Sequence, residues 1–262
     1  MVTPLRPGLS VAGAAAAIDK AFALSKLPAV AIVINSPGGS PVQSHLIYRR
    51  IRQLAAEKGK RVYVFCEDVA ASGGYFLALA GDEIYADPSS IVGSIGVISA
   101  SFGLEKAIAK LGIERRVYTA GEQKGLLDPF LPEKPEDIAR LKAIQRDVHD
   151  VFIGIVKERR GARLKAPDSE LFTGAFWSGP KALELGLIDG IADVRSRMRE
   201  LHGDKVRLRA IPLEGGGWLS RRLRRLPGLA NMDSHSLALP LTLGDDLLSA
   251  VETRALWSRF GL

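Results

Sequence analysis

Three stretches of the chain hold residues whose types and spacing suit acyl transfer. In residues 69–79, VAASGGYFLAL, Ser72 stands where an apolar strand pattern over residues 61–66 gives way to an apolar helical pattern through Tyr75, Leu79 and Ala80. A hydroxyl at such a turn lies near free backbone N–H groups and the positive end of a helix dipole, which favour developing negative charge. Gly73 and Gly74 let the backbone come close to a bound group. The plainer reading of Ser72 is a helix N-cap followed by a permissive glycine pair. In residues 32–40, IVINSPGGS, an apolar strand ends in Asn-Ser-Pro-Gly-Gly, whose glycines can present N–H groups as half of an oxyanion hole. In residues 119–130, TAGEQKGLLDPF, Lys124 sits among Leu126, Leu127 and Phe130. A lysine desolvated by such neighbours loses its charge more readily and can then take a proton as a general base. Asp128, just before Pro129, reads as a turn aspartate rather than a ligand.

Other chemistries fit less well. The histidines are His45, His149, His202 and His235, with none between Ser72 and Lys124; His45 and His149 read as surface or core-edge residues on helices. Ala70 occupies the first glycine's place of a G-x-S-x-G elbow, so that motif is not formed. One cysteine and scattered histidines do not make a usual zinc site, and no cofactor or metal is expected.

These loops need a frame. Helix, strand, helix, strand, helix and strand alternate over residues 10–26, 29–34, 41–58, 61–66, 72–80 and 83–86, which implies β-α-β crossovers and a mainly parallel sheet. The strands are almost wholly apolar, as strands covered on both faces are. Reactive loops collect at the carboxyl ends of such strands, where NSPGG and ASGG both fall. Residues 91–100, IVGSIGVISA, read as a β-rich segment bent at Gly93 and Gly96. A helix over 104–111 and a strand over 114–119 then deliver Lys124. Residues 132–161 read as a long amphipathic helix, with Ile138, Leu141, Ile144, Val148, Phe152 and Ile155 on one face. A short strand, a turn, a helix from Ser178 and a further strand follow in 172–193, then a helix to about His202 and a final strand over 205–211.

With 262 residues, 47% of them hydrophobic, the chain suits one large α/β domain over residues 1–212 and a basic, helical appendage over 213–262. The net charge of +7 is unevenly spread, with Arg221, Arg222, Arg224 and Arg225 crowded into one short run. Without an aromatic ladder or zinc spacing, that run reads as a solvated helix face or a peripheral membrane contact, and nucleic acid is not an expected partner. Cys66, the single cysteine, lies in a strand pattern and reads as a buried structural thiol. No stretch approaches the ~20 apolar residues of a membrane-spanning helix, and residues 11–18 read as a helix capped by Ser10 rather than a signal peptide. The expected location is cytoplasmic or peripheral to the membrane.

NSPGGS, ASGGYF, VGSIGVI and GEQK followed by DPF, in that order, resemble the signal peptide peptidase A (protease IV) family of serine peptidases with a Ser/Lys dyad. The separation of Ser72 and Lys124 fits the same pattern, and the resemblance covers residues 29–194. It implies the Clp-protease/crotonase-like fold group, with repeated β-β-α/β-α-β units. Ser72 is then the nucleophile and Lys124 the base. Gly38 and Gly73 supply the oxyanion-hole N–H groups, and Ser94 orients the lysine by a hydrogen bond. The implied substrates are extended apolar peptides, such as remnant signal peptides or unfolded chains. The implied assembly is a homo-oligomer in which Ser and Lys can come from adjacent subunits. Typical members begin with a membrane anchor and an additional strand, neither of which is read here. Residues 172–193 resemble the family's segment before its last strand, with Ala175 where an arginine is usual, and read as structural. Two alternatives remain open: a crotonase-like acyl-CoA enzyme, and a non-catalytic assembly protein of the same fold.

Overall fold

A computed structural model of the chain describes residues 9–121, 123–213, 254 and 257–260. Its first half follows the alternation of apolar runs. Helix α1 (Val11–Ala23) starts at Ser10, whose hydroxyl accepts the Gly13 N–H. Strand β1 (Ala29–Ser36) leads through Pro37, Gly38 and Gly39 to α2 (Pro41–Lys58), capped by Ser40 and closed by Gly59 in the left-handed region. Strand β2 (Arg61–Ala71) is longer than its apolar run, reaching the residue before Ser72. There follow α3 (Gly73–Ala78), β3 (Glu83–Ala86), β4 (Ile91–Gly93), α4 (Glu105–Lys110), α5 (Pro135–Arg160) and α6 (Asp168–Leu171). β5 (Phe176–Ser178), α7 (Gly179–Glu184), β6 (Gly190–Ile191) and α8 (Val194–His202) come next.

Among the described residues six strands form one sheet in the order β5-β4-β2-β3-β6, with β1 on the other side of β2. Every pairing is parallel except β4 with β5. This is the mainly parallel α/β sheet expected from the sequence, and β2 is its centre. Alternate residues of β2 serve opposite faces. Val62, Val64, Cys66 and Ala70 join the main core with α1, α2, α3 and the end of α5. Tyr63 and Phe65 pack with Tyr85 and Met198 of α8. Val69 and Ala71, further along that second face, pack with Trp257 and Phe260.

Three expected strands are absent or shortened. The segment 91–100 keeps ladder pairing only to Gly93, because Ser94 turns into the left-handed region and its N–H is taken by the Ala175 carbonyl. Residues 114–119 and 205–211 form no strand: among the described residues neither has a neighbouring strand to pair with, and residues 114–119 are wholly exposed. Apolar alternation alone does not make a strand without a partner edge. Of the proposed appendage, residues 214–253, with the run at Arg221, Arg222, Arg224 and Arg225, lie outside the described residues.

Candidate active site

From 69 to 81 every residue is fully buried except Ser72. The burial has visible causes. Tyr75 and Leu79 of the helical turn are wholly enclosed, and the Tyr75 hydroxyl donates to the Leu187 carbonyl at 2.7 Å. Gly74 lies so close to the Ser36 carbonyl that no larger residue fits. Ser72 itself has φ 51° and ψ −120°, a conformation that L-residues other than glycine rarely hold. Its backbone is pinned at both ends, by its N–H to the Gly93 carbonyl at 2.8 Å and by its carbonyl to the Phe76 N–H at 2.9 Å. The side chain makes no capping hydrogen bond, so the plain N-cap reading fails. A strained, accessible hydroxyl left unengaged in a rigid setting has the character of a nucleophile.

The loop after β1 packs directly on this turn. Gly38, at φ 125°, is so near that a Cβ there would meet Ser72 Cβ at 2.9 Å and Ser72 Oγ at 3.2 Å. Gly73 faces Ser44 Oγ of α2 and the Gly39 amide nitrogen, which a Cβ on Gly73 would meet at 2.6 and 3.1 Å. The structure therefore brings Ser72, Gly38 and Gly73 together. The Gly38 N–H points to Ser36 Oγ at 3.3 Å, a long bond that a better acceptor can displace. Ser44 and Gly39 were not singled out in the sequence. Ser44 had one signal, its place one turn after Ser40 at the start of α2, where its hydroxyl donates to the Ser40 carbonyl at 3.0 Å.

Ser94 is buried at φ 53°, on the segment whose Gly93 carbonyl holds Ser72. A Cβ on Gly93 would strike the Trp177 ring at 2.8 Å, so residues 175–177 act on this region through packing and the Ala175 carbonyl.

Lys124 lies elsewhere in character. It is exposed, its backbone N–H bonds the Gly121 carbonyl, and among the described residues its ammonium has no hydrogen bond to Ser72 or Ser94. Leu126, Leu127 and Phe130 are half-buried, so the desolvation expected for the lysine is not reached within one chain. The loop is nonetheless shaped. Asp128 accepts two bonds from Arg115, at 3.0 and 2.7 Å, and the Phe130 N–H at 3.0 Å, which confirms it as a turn aspartate. The Arg115 hydrogen bond, then that of Phe130, holds its carboxyl below the usual range. In the stretch of chain before this loop the apolar residues Ile98, Phe102, Leu111, Ile113 and Tyr118 are all exposed.

The competing nucleophiles and bases lie in other surroundings, and the buried His202 Nε2 has no hydrogen-bond partner among the described residues. Cys66 is buried and its thiol is pushed up to about 12 by desolvation. His45 lies 5.6 Å from the Phe76 ring, His149 Nε2 lies 3.0 Å from the Ile95 carbonyl, and His202 lies 6.4 Å from the Tyr63 ring. His235 lies outside the described residues.

Among known proteins, the family described as Peptidase family S49 matches residues 55–206 of the chain. A Brucella abortus protein named Na(+)/H(+) antiporter NhaA is 58% identical over 99% of this chain and 35% of its own length. The chain thus spans about a third of the length of that relative and of its Brucella melitensis counterpart. A putative protease of Synechocystis is 35% identical over 71% of this chain and 68% of its own. The chloroplastic serine protease SPPA of Arabidopsis thaliana is 34% identical over 63% of this chain and 24% of its own.

Proposed function

The chain belongs to peptidase family S49, and from that premise we propose that it is a serine endopeptidase with Ser72 as nucleophile and Lys124 as general base. Ser72 Oγ attacks the scissile carbonyl carbon while Lys124 Nζ takes the hydroxyl proton. The Gly38 and Gly73 N–H groups receive the oxyanion. As the C–N bond breaks, the proton passes to the leaving amine, and water then hydrolyses the acyl-enzyme in a second, equivalent cycle. Each oxyanion donor contributes about 3 to 4 kcal/mol to the transition state. Ser94 orients the lysine. The observation that carries this reading is Ser72 itself: strained, uncapped, the one accessible residue in a buried stretch, and in contact with Gly38.

The base half is completed by a second copy of the chain, which covers the exposed apolar surface around residues 98–118 and desolvates Lys124. Substrates are extended apolar peptides, such as remnant signal peptides or unfolded polypeptides, added as a strand beside Gly38. Among the described residues no helix is long and apolar enough to cross a membrane. We assign the antiporter name of the Brucella relatives to the part of those proteins that this chain does not match.

The test is labelling by a fluorophosphonate probe near pH 8. The parent is expected to label at Ser72, and Ser72→Ala and Lys124→Ala are not. A folded parent that does not label favours the non-catalytic alternative, and tight binding of an acyl-CoA favours the crotonase-like one.

A further inference from the structure

We propose that Asn35 is a positioning residue that locks the oxyanion loop to the nucleophile strand. This rests on the reading of Ser72 as nucleophile. Strands β1 and β2 run in regular register from Ala29 opposite Arg61 to Ile34 opposite Cys66, and then Ser36 stands opposite Ala70. Three residues of β2, Glu67, Asp68 and Val69, therefore face the single Asn35. At this bulge β2 also changes its other neighbour, from β3 at Cys66 and Ala86 to β4 at Val69 and Ile91. Bulges beside reactive sites re-aim the strand that follows them. Here the following residues are Val69, Ala70, Ala71 and Ser72.

A bulge leaves ladder groups unpaired, and the Asn35 side chain takes up one of them, the Val69 N–H, while it also binds the Asp68 carboxylate. Its Nδ2 donates to Asp68 Oδ2 at 2.6 Å, and its Oδ1 accepts the Val69 N–H at 3.2 Å. Only an amide in this orientation satisfies both groups, since a carboxylate only accepts and a backbone N–H only donates. Asn35 stands three residues before Gly38 on one strand, and Val69 stands three residues before Ser72 on the other. One side chain thus ties together the two backbones that must hold Gly38 against Ser72. Asn35, Glu67 and Asp68 are exposed, so the core does not hold the bulge in their place.

The test uses the full chain and the variants Asn35→Ala, Asn35→Asp and the exchange Asn35→Asp with Asp68→Asn. In the exchanged pair the new carboxylate accepts from Val69 and from the new amide at position 68. Two quantities are measured: hydrogen exchange of the Val69 and Ser72 amides, and the rate of fluorophosphonate labelling. Both single variants are expected to speed exchange at these amides about tenfold and to slow labelling about 10- to 100-fold, with exchange in α2 unchanged. The exchanged pair restores both. Unchanged exchange in Asn35→Ala, or no recovery in the exchanged pair, overturns the proposal. A parent that does not label, with amide exchange following the expected pattern, overturns the reading of Ser72 and leaves the clamp standing.

Discussion

Within residues 69–81 only Ser72 escapes full burial, whereas within residues 96–151 no described residue is fully buried. The two regions supply the two halves of one proposed reaction. The first is enclosed by its own chain: β2 has neighbours on both sides, α3 is buried throughout, and the turn at Ser72 is bonded to Gly93 and Phe76. Such packing can hold a strained residue, because its surroundings over-determine it. The second carries Lys124 on a loop shaped by local bonds, and in the same stretch of chain Phe102 and Tyr118 are 83% and 91% exposed. Apolar surface of that kind marks a contact site. The difference teaches that Ser72 is fixed by folding of its own chain, while Lys124 is not, and under the proposed function that half acquires its surroundings from a second copy.

Substitutions at the two halves should therefore separate activity from stability. Lys124→Ala is expected to slow Ser72 labelling about 10³- to 10⁴-fold with the melting temperature unchanged, because the side chain is exposed. A large loss of stability would place Lys124 inside a single-chain core and erase the contrast.

Matched ion pairs sharpen the same point. Arg160 is 3% exposed, donates to the Gly186 carbonyl at 2.9 Å and bonds Asp189 at 2.7 Å. Arg160→Leu should cost about 1–3 kcal/mol in chemical denaturation, since Asp189 loses its buried partner and keeps only Arg163 and the Ile84 N–H. Arg115→Ala, which removes the half-exposed partner of Asp128, should cost less in the same measurement, because Asp128 keeps the Phe130 N–H. Asp189 also sets a pH dependence. Burial alone would raise its carboxyl, but the hydrogen bond and charge of Arg160, the Ile84 N–H and Arg163 together hold it below the usual range. Its contribution is complete above the unfolded value of about 4 and is lost as pH falls through the lower folded value. Asp189→Asn should flatten that acid limb of the stability curve.

Gly38→Ala comes next in size. It places a Cβ 2.9 Å from Ser72 Cβ, at a φ that alanine rarely adopts. Labelling should fall about 100-fold and stability by about 1–3 kcal/mol. The smallest effect on folding is expected from Phe102→Ser with Tyr118→Ser. These should leave the monomer's melting unchanged and lower the sedimenting mass at a given concentration, because they touch only the surface assigned to a second copy.

What could be read from the sequence divides along the same line. The frame was legible because apolar periodicity encodes burial: α2 and β3 fall at the expected residues, and the glycine loops stand at strand ends. Lys124, Ser94, Gly38 and Gly73 were all named from motifs, but a motif carries chemistry without surroundings. The expected strand over 114–119 failed because alternation does not reveal whether a neighbouring edge exists within the chain. The bulge at Glu67 and Asp68 was hidden because both residues look like the end of a strand, and only the register against Asn35 shows that β2 continues to Ala71.

The most direct measurement mixes two inactive chains. Ser72→Ala retains the lysine and Lys124→Ala retains the serine, and each is labelled with the fluorophosphonate probe alone and after co-refolding. If the site is completed between copies, the mixture labels on the Lys124→Ala chain while neither variant labels alone. Co-assembly of the two chains without any labelling would contradict a site shared between them.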